Sequence, residues 1–176
     1  MITTQAESPQ GACKKLYKLA VVGAGGVGKS TLIARLVTGE FIDKRMTVGF
    51  DVESWTFEDK EAGCLKVAMF DFGGQKQFRF FQGSLIFGAK VALVVFDSCS
   101  YRSIMQLKEW MGLIDSIPNE RKLLVGTKLD MKESYDLEEI ESCAAEHGLE
   151  YVLVSSKTGE NFDILTEKLQ NILKQL

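Results

Sequence analysis

Eight consecutive residues, Gly23-Ala24-Gly25-Gly26-Val27-Gly28-Lys29-Ser30, constrain this chain more than any others. Before them runs Leu16-Tyr17-Lys18-Leu19-Ala20-Val21-Val22, an apolar stretch that reads as a buried strand. After them, Leu32, Ile33, Leu36 and Val37 recur at helical spacing. Chance produces the spacing G-x-x-x-x-G-K-[ST] only about 0.006 times in a chain of this length at average residue usage. The physics of the pattern is specific. Glycines let backbone N–H groups turn inward as a nest for anionic oxygens. The N-terminus of the following helix adds its positive dipole end. Lys29 brings a full charge to the outer phosphates, and the Ser30 hydroxyl, with Thr31 beside it, faces a divalent cation.

A strand–loop–helix opening of this kind needs a parallel sheet to belong to. Phe50–Phe57 alternates as a strand, Glu58–Gly63 is turn-like, and Leu65–Phe70 is a second strand, so the two are expected to pair as an antiparallel hairpin. Val91–Phe96 is apolar throughout, as in a strand covered on both faces. Ile104, Leu107 and Met111 lie on a helix ending before Pro118, followed by a short strand at Leu123–Val125. A helix over Leu137–His147 with Gly148 as its C-cap, a strand at Tyr151–Val154 and a helix over Phe162–Leu173 complete the alternation. The expected fold is α/β, with six mostly parallel strands, one antiparallel strand and helices on both faces. Residues 1–15 read as a flexible tail and 16–176 as one domain. Ligands in such sheets gather at the carboxyl ends of the strands, here just after residues 22, 70, 96, 126 and 154.

Composition sets limits on partners and compartment. A net charge of −3 and a pI near 5.3 leave no broad basic surface for nucleic acid. The four cysteines, Cys13, Cys64, Cys99 and Cys143, lie far apart without a C-x-x-C pair and read as reduced thiols. No apolar run approaches the roughly 20 residues of a membrane span. Neither a myristoylation nor a prenylation pattern is present, so the expected protein is cytoplasmic with no membrane anchor of its own.

The phosphate loop does not choose between adenine and guanine; Gly126-Thr127-Lys128-Leu129-Asp130 does. Guanine presents N1–H and the 2-amino group side by side, and one carboxylate at Asp130 accepts from both. The Lys128 stem is expected over the base plane, and backbone N–H groups of Ser155-Ser156-Lys157 near its O6. Thr47 can direct its hydroxyl to Mg²⁺ and its N–H to the terminal phosphate. In Asp71-Phe72-Gly73-Gly74-Gln75, Asp71 suits an outer Mg²⁺ ligand, Gly74 N–H a γ-phosphate contact, and Gln75 the orientation of an attacking water.

On these residues the chain resembles the Ras superfamily of small GTPases from about Leu16 to Leu173. The phosphate loop is similar to that of Ras. Thr47-Val48-Gly49-Phe50-Asp51 and the Gly73-Gly74-Gln75 run are similar to Arf, and Trp110–Asp130 and Ser155–Phe162 to Rab. The resemblance implies a G domain that binds GTP or GDP with Mg²⁺, hydrolyses GTP slowly, and changes shape in two switches, roughly Ile42–Phe50 and Asp71–Leu85. It implies effector proteins, an exchange factor and a GTPase-activating protein as partners, in signalling or membrane traffic. It places Phe41 on the guanine ring and matches Phe50, Phe70 and Leu85 to an effector-contacting cluster. The chain departs from the pattern at Met46, where relatives carry proline, and at Ser156, where they carry alanine. Phe78, Phe80 and Phe81 crowd the second switch as core or partner surface. His147 reads as a helix-end residue and Trp110 as packing. A nucleoside kinase is the competing class, but no arginine-rich lid is evident.

Overall fold

The computed structural model describes residues 13, 15–74, 79–131 and 137–176. Six strands form one sheet in the order β2-β3-β1-β4-β5-β6. They are β1 (Lys15–Val22), β2 (Phe50–Asp59), β3 (Gly63–Phe72), β4 (Val91–Asp97), β5 (Lys122–Thr127) and β6 (Glu150–Leu153). Only β2 runs antiparallel, paired with β3 from Phe50↔Phe72 to Asp59↔Gly63. The helices are α1 (Lys29–Thr38), α2 (Arg79–Ile86), α3 (Tyr101–Met105), α4 (Leu107–Leu113), α5 (Leu137–His147) and α6 (Phe162–Lys174).

Strand alternation divides the core in two. Leu19, Val21, Leu93, Val95 and Val125 point to one face, where Leu32 of α1 and Leu165, Leu169 and Leu173 of α6 cover them. Ala20, Val22, Val94, Phe96 and Leu124 point to the other, against Ile86, Ile104, Trp110, Ile114 and Ile140. With both faces covered, β4 has no solvent side, which is why its sequence is apolar without alternation. Trp110 is fully buried, in line with its reading as packing. Among the described residues no helix is long and apolar enough to cross a membrane.

Three expectations change. Arg79–Ile86, read as part of a switch loop, is a helix; Gly83 in its interior weakens the helical signal. The helix expected through Ile104–Met111 is two short helices that meet at Gln106, the first capped by the Ser100 side chain accepting from Ser103 N–H. The reading of four reduced thiols is corrected for two of them: Cys13 and Cys64 form a disulfide, with their Cα atoms 4.8 Å apart. Parallel pairing of β1 with β3, Lys15↔Leu65 at its start, brings the two cysteines side by side although 51 positions separate them. Cys99 and Cys143 are free.

Candidate nucleotide site

At the carboxyl edge of the sheet the loops after β1, β3 and β5 converge on a cavity of about 700 Å³. That size suits a nucleotide-scale ligand. The loop after β1 needs its glycines: Gly26 and Gly28 hold φ of 77° and 95°, backbone that other residues seldom adopt. At Gly23 a Cβ would lie 2.1 Å from the Val95 carbonyl oxygen, so only glycine lets β1 leave the sheet beside β4. The loop then feeds directly into α1, with Gly28 at its N-cap.

Lys29, the first residue of α1, is buried. Its Nζ donates to the carbonyls of Gly23 and Ala24, both at 2.9 Å, which arches the loop over its own side chain. Burial pushes the Lys29 ammonium down to about 8, and the carboxylate of Asp71 opposes the fall. An ammonium desolvated in this way gains most from an arriving anion.

Next to it three side chains meet. Ser30 Oγ lies 2.7 Å from Thr47 Oγ1 and donates to Asp71 Oδ2, which also accepts from Thr47 Oγ1 at 3.0 Å. The other oxygen, Asp71 Oδ1, is buried with no hydrogen-bond partner among the described residues. Two hydroxyls backed by a carboxylate with a bare buried oxygen form a hard, all-oxygen donor set, the chemistry Mg²⁺ requires. The residues present fit the cation. Thr47 is held near this position by Gly73 N–H, which donates to Gly49 O at 2.8 Å and joins the loop before β2 to the end of β3. Gln82 of α2 closes the other side, its Nε2 donating to Gly73 O at 2.9 Å.

At the far end of the cavity stand Phe41, Lys128, Asp130, Ser156 and Lys157. Ser155 Oγ donates to Asp130 Oδ1 at 2.6 Å and fixes that carboxylate. Ser155 itself is fully buried and stands behind the cavity wall, as do Gly23, Val27 and Asp71. Thr127 Oγ1 donates to the carbonyl oxygens of Val27 and Phe96, lacing the phosphate loop to the base loop. Gly25, Gly74, Ser30 and Thr31 line the same cavity, together with Met46. Gln75 and Phe78 lie outside the described residues. Phe80 is exposed, and Phe50 stacks on Phe70 with centroids 6.4 Å apart. His147 ends α5, and its carbonyl accepts from Asn119 Nδ2.

Two contributors escape the sequence reading. Arg35 Nη1 donates to Ser156 O at 3.1 Å, supporting the loop after β6. Asp97 Oδ2 accepts from Lys128 Nζ at 2.6 Å. Asp97 ends β4, one of the strand termini where ligands gather, and that position is the only signal the sequence offers for it.

Comparison with known proteins gives one consistent picture. The family model described as "Ras family" matches residues 18–175. Ras-related protein Rab-1D of Dictyostelium discoideum is 31% identical over 152 residues, covering 84% of this chain and 74% of its own. Ras-related protein RABD1 of Arabidopsis thaliana is 33% identical over 153 residues, with the same shares. GTP-binding protein YPTM1 of Zea mays is 32% identical over 153 residues, covering 84% of this chain and 73% of its own.

Proposed function

This chain belongs to the Ras family of small GTPases, and from that premise we propose that it binds GTP with Mg²⁺, hydrolyses it to GDP and phosphate, and presents its switches to effectors in the GTP state. The observation that carries the reading is the meeting of Ser30, Thr47 and Asp71 beside a buried Lys29, three separate segments joined at one point. Asp130 and Lys128 at the other end of the same cavity support guanine as the base.

Each residue then has a physical task. Backbone N–H groups of Gly25–Ser30 hold the α- and β-phosphate oxygens, and the Lys29 ammonium neutralises the β–γ bridge as charge builds on the leaving oxygen. Ser30 and Thr47, with Asp71 behind them, would hold Mg²⁺, which when bound would supply further neutralisation of phosphate charge. Gln75 orients the attacking water in line with the bond that breaks, and Gly74 N–H meets a γ-phosphate oxygen. When the γ-phosphate leaves, Thr47 and Gly74 lose their shared partner, and both loops are released. Effectors would read the surface that includes Phe50, Phe70 and Leu85; an exchange factor and a GTPase-activating protein would set the two rates. Similarity to Rab proteins supports a place in membrane traffic.

The test is single-turnover hydrolysis of bound GTP. Gln75→Leu should retain GTP with affinity close to the starting protein and hydrolyse it at least about tenfold more slowly, because only water orientation is lost. Equal rates in the two proteins would remove Gln75 from the mechanism.

A further inference from the structure

Lys128 is held by more than the nucleotide chemistry asks for. Its backbone is left-handed, with φ of 62°, a conformation that a lysine holds only when its surroundings impose it. The three residues that end β4 and enter the next loop do so. Ser98 grips the preceding residue: its N–H and its Oγ both donate to Thr127 O, at 3.1 and 2.6 Å. Cys99 Sγ lies 3.0 Å from Met131 O and 3.7 Å from Lys128 O. Asp97 takes the side chain itself, its Oδ2 accepting from Lys128 Nζ at 2.6 Å while its Oδ1 accepts from Cys99 N–H at 2.9 Å. The same Nζ also donates to Gly26 O at 3.0 Å, so the lysine spans from β4 to the phosphate loop.

We propose that Asp97 is a positioning residue for nucleotide binding, acting through Lys128 and not through the ligand. The inference rests on the guanine-nucleotide reading of the cavity given above. Asp97 opens onto a different recess, behind the phosphate loop, which it shares with Ala24, Gly26 and Gln106; it does not line the nucleotide cavity. Its side chain is mostly covered, at 15% exposure, and the lysine side chain it holds is 36% exposed. A lysine ammonium on a four-carbon stem is otherwise mobile and strongly hydrated. Held at both Asp97 and Gly26, the Lys128 side chain lines the cavity in a fixed position before any ligand arrives, and the ordering cost is met in advance. Without Asp97 the ammonium keeps only a neutral carbonyl and is free to swing out to solvent.

The test is the rate of GDP release from the protein. Asp97→Ala should release GDP about ten- to a hundredfold faster, the range spanned by loss of a charge-assisted hydrogen bond. The factor should be the same with Mg²⁺ and with EDTA, since Asp97 acts at the base end and not at the cation. Adding Asp97→Ala to Lys128→Ala should accelerate release no further than Lys128→Ala alone. Asp97→Asn preserves shape and the Cys99 contact but not the charge, and should still release GDP several-fold faster. This last variant keeps the test valid if the alanine variant unfolds. Release within twofold of the starting protein in both Asp97 variants, or additive effects in the double variant, would overturn the proposal while leaving the guanine site intact. If the unsubstituted protein retains no GDP at all, the guanine reading fails and the proposal falls with it.

Discussion

Replacing Asp130 by asparagine is expected to weaken GTP and GDP binding several-hundredfold while leaving the protein folded. The Asp130 carboxylate lines the cavity and can accept from guanine N1–H and the 2-amino group together. Asparagine keeps one acceptor, loses the charge, and turns an amide donor toward a ring donor. Two charge-assisted hydrogen bonds at about 1.5–3 kcal/mol each set the scale, with part of the first retained, for a net loss of roughly 3–4 kcal/mol. The local structure should tolerate the change. Asp130 Oδ1 accepts from Ser155 Oγ, and a hydroxyl can donate to the asparagine oxygen in the same place. Xanthine carries a 2-oxo group where guanine carries an amine, so the variant should gain affinity for xanthosine nucleotides relative to GTP. Competition titration with GDP, ADP and XDP checks all three statements at once. Unchanged GDP affinity would remove Asp130 from base recognition.

Gly74→Ala is expected to separate binding from turnover. A Cβ at Gly74 would lie 2.0 Å from Gly25 N and 2.3 Å from the Ala24 carbonyl carbon. Both are backbone atoms of the phosphate loop, so neither can rotate away as a side chain would. The second switch must therefore stand back by an ångström or more, taking the Gly74 N–H away from the γ-phosphate and shifting Gln75 with it. Displacements of that size cost catalysis about a hundredfold. GDP needs no contact from Gly74 and should bind within about threefold of normal. The measurement is single-turnover GTP hydrolysis beside GDP affinity. A variant that hydrolyses at the normal rate would show that closure of Gly74 onto the phosphate loop is not required.

These expectations differ in how far the chain itself announces them. The phosphate loop is legible because its chemistry is local: one strand, eight residues and one helix carry it, with a close backbone contact at Gly23 and left-handed backbone at Gly26 and Gly28. The six strands are legible for the same reason, since β4 and β5 are buried on both faces and are apolar over most of their length. Asp130 is legible as a carboxylate after a strand, but its fixing by Ser155, 25 positions away, is not. Thr47 and Asp71 stand in different segments, and only folding places their oxygens 3.0 Å apart. The Cys13–Cys64 bridge is hidden because spacing along the chain carries no information about which strands lie side by side. Asp97 is hidden for a different reason. An aspartate after an apolar strand is commonplace, and what distinguishes this one is the lysine 31 positions away that reaches it. The helix α2 was masked by its own composition, an interior glycine in a segment whose resemblance points to a mobile switch.

The identity of the nucleotide carried by the purified protein tests the central claim most directly. Denaturing the protein and separating the released nucleotides by HPLC should yield GDP, with some GTP, at close to one guanine nucleotide per chain. A parallel sample loaded with GTP and Mg²⁺ should convert it to GDP in a single slow turnover. Recovery of adenine nucleotides, or failure to retain any guanine nucleotide when GDP and Mg²⁺ are supplied in excess, would contradict the assignment of Asp130, Lys29 and Thr47 to one guanine-nucleotide site.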